Sequence, residues 1–164
     1  MPEDGVVCLD NGMYKIWFAR TYRTHVANTL LLDNALATMA SILPPRQRVL
    51  AVCGDGGFMM NSQELETATR LGLNLVVLIL QDKAFGMIRW EQEADDRRLS
   101  FGNPDFSRYA EAFGAKGSRV ETADGLVPTL EVAFKAGGVQ LVAVLVDYSE
   151  NIRVLSHELR HRLL

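Results

Sequence analysis

Short runs of aliphatic and β-branched residues alternate along this chain with stretches whose apolar positions recur every three or four residues. That is the pattern of a parallel sheet buried between two layers of helices. Five runs read as strands: Val6 to Leu9, Val49 to Cys53, Leu75 to Leu80, a more polar Ser118 to Val120, and Leu141 to Val146. Asn61 to Leu71 reads as a helix, because Asn61 stands three positions before Glu64, whose carboxylate can reach back to the cap's own NH group. Leu65, Ala68 and Leu71 then share a face, and Gly72 closes it. Asp105 to Phe113 follows Asn103-Pro104, with Phe106, Tyr109, Ala110 and Phe113 as its apolar stripe and Gly114 as its end. A third helix is expected from about Pro128 to Ala136, with proline in its first turn and Gly137-Gly138 behind it. Ser149 to Leu164 reads as a polar helical tail. No internal repeat or low-complexity linker interrupts the pattern. The expected fold is a three-layer α/β/α domain with a mainly parallel sheet.

Composition narrows the role. The chain has 164 residues, 48% hydrophobic and 23% charged, which excludes disorder and suits one core better than two, so residues 1–164 read as a single domain. Lys+Arg 17 against Asp+Glu 20 leaves a net charge of -3, which offers nucleic acid or acidic lipid no general attraction. No apolar stretch approaches the ~20 residues that cross a bilayer. Met1-Pro2-Glu3-Asp4-Gly5 is neither basic nor followed by a signal-type apolar core. A cytoplasmic protein with no nucleic-acid or membrane partner is expected, with Cys8 and Cys53 reduced and packed as small hydrophobes. A strand that begins at Val6, with almost nothing ahead of it, suits a chain that is part of something longer.

The most informative segment is Val49-Leu50-Ala51-Val52-Cys53-Gly54-Asp55-Gly56-Gly57-Phe58, a buried strand running into a glycine-rich turn. In open α/β sheets, ligands bind at the carboxyl ends of strands, where glycine admits close approach and helix N-termini attract phosphate. A carboxylate at that edge would repel a diphosphate, so Asp55 points to a hard divalent cation between them, most simply Mg²⁺. The next strand ends in Gln81-Asp82-Lys83-Ala84-Phe85-Gly86, which sets Asp82 27 positions beyond Asp55. A helix and a return strand fit in that interval, so both carboxylates can reach one metal. His157 and His161 are four apart, a metal-ligand spacing, but no third ligand accompanies them, and a solvated face is the favoured reading. His25 is unassigned.

Gly54-Asp55-Gly56 followed by Asp82 resembles the metal and diphosphate motif of thiamine-diphosphate enzymes. The resemblance implies that Asp55, Asp82 and the main-chain carbonyl of Ala84 hold Mg²⁺, with the Gly56 and Gly57 amides near the diphosphate. Gly12-Met13-Tyr14-Lys15-Ile16-Trp17 and Thr38-Met39 look like segments lining the cofactor site in the acetolactate (acetohydroxyacid) synthase branch. There the methionine matching Met39 supports the bent cofactor. Phe85-Gly86-Met87-Ile88 resembles the next cofactor and substrate edge, and Asn103-Pro104-Asp105-Phe106 and Val146-Asp147-Tyr148 also look like this branch. An aromatic near Trp90 borders the substrate pocket in some relatives, although packing is the commoner role on a short helix, and Trp17 reads as core.

The chain departs from the family where Ala40 and Ile42 replace glycines, so side chains stand where backbone could approach a ligand. The family also has a separate pyrimidine-binding domain, whose glutamate activates the cofactor, and no such domain fits in 164 residues. No catalytic residue is therefore assigned within the chain. The resemblance implies the diphosphate-binding domain of an enzyme that decarboxylates a 2-oxo acid such as pyruvate and joins the product to a second one. Its expected partner is a further copy of itself or a chain carrying the pyrimidine-binding domain. The competing readings are a catalytically incomplete domain with a non-enzymatic or partner-dependent role, and a generic nucleotide-binding α/β domain.

Overall fold

A computed structural model describes residues 5–32, 48–92, 97–151, 153 and 154 of the chain. Six strands make one all-parallel sheet in the order β2-β1-β3-β4-β6-β5. They are β1 (Val6–Leu9), β2 (Leu30–Leu32), β3 (Val49–Gly54), β4 (Leu75–Gln81), β5 (Lys116–Val120) and β6 (Val139–Leu145). The helices are α1 (Met13–Thr21), α2 (Asp55–Met60), α3 (Glu64–Arg70), α4 (Gly86–Gln92), α5 (Phe106–Ala112) and α6 (Ala123–Ala136).

The central strands are apolar at nearly every position, Gln81 and Gln140 apart, because both of their faces are covered. Cys8, Ala51, Cys53, Val77, Ile79 and Leu141 pack against Phe58, Leu65, Ala68, Phe106 and Ala110 from α2, α3 and α5. The alternate residues Val7, Leu9, Val52, Leu78 and Val142 meet Tyr14, Phe18, Leu130 and Ala133 from α1 and α6. This is the expected three-layer sandwich. Among the described residues, no helix is long and apolar enough to cross a membrane.

Register aligns the strand ends. Leu9 lies beside Val52, Gly54 beside Leu80 and Leu80 beside Val144, so β1, β3, β4 and β6 finish at one edge. The chain passes outward from β1 to β2, then returns to the other side of β1 for β3. It reverses again when β6 inserts between β4 and β5. Such reversals splay the connections apart and leave crevices outside the carboxyl ends.

Several local expectations need correcting. The strand β2 has three residues, too few to carry a periodic signal, and was not anticipated. The glycine-rich turn after β3 is itself helical, so Asn61 ends α2 instead of opening the next helix. Consequently the Asn61–Glu64 capping box does not form: Gln63 stands at the cap of α3 without a side-chain bond. Strands β5 and β6 each begin two residues ahead of the expected Ser118 and Leu141.

Helix α6 starts at Ala123, so Pro128 lies inside it. Pro128 and Asp124 are both exposed, and water can bond the carbonyl that the missing N–H leaves free. Of the expected tail, residues 152 and 155–164, with His157 and His161, lie outside the described residues, and 149–150 form a turn.

Candidate functional site

A cleft of about 220 Å³ opens at the carboxyl edge, walled by the ends of β1, β3 and β4 and by the segment that follows β6. Gly12, Met13, Tyr14, Gly54, Asp55, Gly56, Gly57, Asp82, Ala84, Phe85, Gly86 and Met87 all line it. The structure therefore brings these residues together at one cleft, while Lys15, Ile16 and Trp17 from the first segment do not line it. Met39, with Thr38, Ala40 and Ile42, lies outside the described residues.

Asp55 is 1% exposed and hydrogen-bonded at both oxygens. Its Oδ1 accepts the Gly56 N–H at 2.9 Å, and its Oδ2 accepts the Lys83 N–H at 2.8 Å and the Asn103 side-chain amide at 2.6 Å. Asp82 is half-buried, and its Oδ1 accepts the Ala84 N–H at 3.3 Å. Burial, and then the Asp55 charge, hold the Asp82 carboxyl above the usual carboxylate range. Ala84 pairs with Ser100 across an antiparallel bridge flanked by Phe85 N–H to Leu99 and Phe101 N–H to Lys83. In such a pair the two residues' own N–H and C=O groups face away from each other, which turns the Ala84 carbonyl away from Ser100.

The glycines answer to several constraints. A side chain at Gly56 would meet the Phe85 ring at 2.9 Å and the Phe101 ring at 3.1 Å, rings that lie 5.0 Å apart. One at Gly57 would collide with the Asp10 carboxylate, and one at Gly86 would come within 2.5 Å of Asp82 Oδ2. Gly12 is demanded by Tyr14, whose ring folds back over it. The Tyr14 hydroxyl accepts the Gly54 N–H at 3.1 Å, bridging the ends of β1 and β3. Burial raises the ionisation of Tyr14 and Tyr148 far beyond neutrality, with Asp10 adding to the first and Asp82 to the second, so both stay protonated. Burial does the same for the Cys53 thiol.

Asp10, Asn103 and Tyr148 were not among the residues read from the sequence as site residues. Asp10 is 4% exposed and lines the cleft from the end of β1. Its position directly after a buried strand was the available signal. Asn103 bonds a carboxylate 48 positions away, a contact no local pattern announces. Tyr148 reaches the cleft from beyond β6 and packs with Met13, Ile16, Trp17, Met87, Trp90 and Val154. Both tryptophans thus serve packing, and Trp17 Nε1 donates to Asn151 Oδ1 at 2.9 Å.

Among the described residues, no three His, Cys, Asp or Glu side chains gather as a metal cage. A cation here would rest on Asp55, Asp82, the Ala84 carbonyl and oxygens from its ligand or water. Mg²⁺ takes such a set, keeping waters and using one or two carboxylates with substrate phosphates. The buried Asn103 Oδ1, beside Asp55, has no hydrogen-bond partner among the described residues, an acceptor open to a donor in the site.

Residues 10–144 match the family described as thiamine pyrophosphate enzyme, C-terminal TPP binding domain. The chain is 39% identical to the catabolic acetolactate synthase of Raoultella terrigena, over 91% of this chain and 29% of that protein. It is 38% identical to acetolactate synthase of Bacillus subtilis, over 93% and 29%. It therefore spans about 29% of the length of these curated relatives. Among solved structures, the thiamine diphosphate-dependent 4-hydroxybenzoylformate decarboxylase of Rhodococcus jostii RHA1 superposes with a TM-score of 0.79 at 20% identity, covering 91% of this chain and 31% of that one.

Proposed function

The chain belongs to the thiamine pyrophosphate enzymes, as their C-terminal TPP-binding domain, and on that premise we propose that it serves an acetolactate-synthase-like enzyme. In this reading it binds thiamine diphosphate through Mg²⁺ for decarboxylation and carboligation of 2-oxo acids such as pyruvate. The observation that carries the reading is the convergence of Asp55, Asp82 and Ala84 beside Gly56, Gly57 and Gly86 in one cleft.

The cofactor, when bound, supplies a carbanion-stabilising centre, and the protein supplies binding, orientation and electrostatics. Asp55 and Asp82 with the Ala84 carbonyl would hold Mg²⁺, and the Gly57 amide and the Gly56 backbone, whose own N–H bonds Asp55 Oδ1, would lie near the diphosphate at the start of α2. Met13, Phe85 and Met87 offer apolar walls that exclude water, and Tyr14 closes the floor. Met39, from the family resemblance, belongs to the same set.

Among the described residues that line the cleft there is no glutamate. In this reading the activating glutamate of the resemblance comes from a pyrimidine-binding half, on a second copy or on another chain, and oligomerisation completes the site. The buried thiols Cys8 and Cys53, neither in a disulfide, support a cytoplasmic setting.

Calorimetric titration with thiamine diphosphate tests the reading. Binding is expected only with Mg²⁺, and Asp55→Ala and Asp82→Ala each weaken it at least tenfold, the scale of lost metal coordination. Equal binding with and without Mg²⁺, or binding of ATP in preference, would favour a generic nucleotide domain. Mg²⁺-dependent binding with no turnover after addition of a pyrimidine-binding chain would favour the catalytically incomplete reading.

A further inference from the structure

We infer that Asn103 is a positioning residue that fixes how Asp55 meets a cation and makes the site prefer Mg²⁺ to Ca²⁺, an inference resting on the function proposed above. An ionised carboxylate offers about four lone-pair positions, two on each oxygen. Oδ2 of Asp55 accepts two donors, the Lys83 N–H at 2.8 Å and Asn103 Nδ2 at 2.6 Å. Oδ1 accepts one, the Gly56 N–H at 2.9 Å. The count leaves a single open position, on Oδ1.

A cation that reaches Asp55 thus meets one oxygen of a carboxylate that cannot swing, since the side chain is 1% exposed and tied at both ends. Mg²⁺ demands a compact octahedral shell and suits one oxygen per carboxylate. Ca²⁺ takes six to eight oxygens and often both from one carboxylate. Filling Oδ2 therefore favours the smaller ion.

Asn103 is well placed to enforce this. It precedes α5, whose cap Asp105 accepts the Ser107 and Arg108 N–H groups at 3.0 and 3.2 Å. Phe106 and Ala110 anchor the same helix in the core. The amide is further oriented by Gln81 Oε1 at 3.4 Å. Its own Oδ1 is buried and has no partner among the described residues. The fold thus keeps an acceptor beside the site for a donor that comes with the ion, as the water that Mg²⁺ retains would.

The test is thiamine diphosphate binding measured by calorimetry with Mg²⁺ alone or Ca²⁺ alone, for the wild-type chain and for Asn103→Ala. The near-isosteric Asn103→Leu is measured in parallel, with melting curves for both, so that a fold lost to the smaller side chain does not decide the result. The variants are expected to lose about 10- to 100-fold in Mg²⁺-supported binding, the range for partners that orient a ligand. The Ca²⁺-supported binding changes far less, so the Mg²⁺:Ca²⁺ ratio drops about tenfold. Equal losses with both ions in a folded variant would reduce Asn103 to a packing role and overturn the inference alone. No binding by the wild-type chain with either ion would overturn the proposed function and this inference together.

Discussion

Asp82 is the side chain whose protonation matters most to this cleft. Burial and the nearby Asp55 hold its carboxyl above the usual range, so the folded form binds a proton more tightly than the unfolded one. Its contribution to stability is therefore present below the unfolded pKa of about 4 and is lost as pH rises through the higher folded value. Ions and protons compete for the same oxygens. Mg²⁺-supported cofactor binding is expected to weaken as pH falls through the raised Asp82 value, and Asp82→Asn to remove that dependence, as calorimetry at stepped pH would reveal. A pH-flat affinity in the wild type would exclude the competition. The two carboxylates were legible in the sequence because each directly follows an apolar strand. Asn103 was not, because its role depends on the segment ahead of α5 being folded so that its amide reaches Asp55 and Gln81. Gly56 was legible as a glycine for a reason that is only partial, since the Phe85 and Phe101 rings exclude a side chain there with or without a ligand.

At the scale of elements, helix ends explain both what was readable and what was misread. Gly72 and Gly114, at φ 60 and φ 75, follow α3 and α5 with the same pair of bonds. Gly72 N–H reaches Thr69 and Leu73 N–H reaches Ala68, just as Gly114 reaches Glu111 and Ala115 reaches Ala110. Glycine is favoured in that left-handed position, which is why both stops could be read directly. The start of α3 could not, because Asn61 is used to end α2 and its side-chain nitrogen is buried without a partner among the described residues. Closer packing governs β5. A side chain at Gly117 would come within 2.5 Å of the Ser107 carbonyl oxygen, whereas one at Gly102 would meet nothing within 4 Å. Gly117→Ala is expected to destabilise the fold by about 1–3 kcal/mol, and Gly102→Ala to stay within about 0.5 kcal/mol. Paired denaturant melts would check this, and equal midpoints would contradict the close approach of α5 to β5.

For the whole molecule, the alternation of apolar runs and amphipathic stretches was enough to read a parallel three-layer sheet. Strand order was not readable, since it depends on which strands find each other across long connections. Two reversals in that order open the cleft at one edge, and the central strands are sealed on both faces. Cys8 and Cys53 lie within that seal, both fully buried. Labelling of either by a thiol reagent is expected to require opening of the sheet itself, so labelling rates should follow global stability as denaturant is raised. Fast labelling in buffer alone would show the middle of the sheet opening locally. A practical boundary question follows from the strap beyond β6, where Tyr148 borders the cleft and Asn151 holds Trp17 of α1. The family match stops at residue 144. Anyone who trims the chain to that match for expression or fusion keeps nearly all of the sheet but cuts away one wall of the cleft and the pin on its neighbouring helix. A trimmed chain that keeps both therefore runs at least to residue 154.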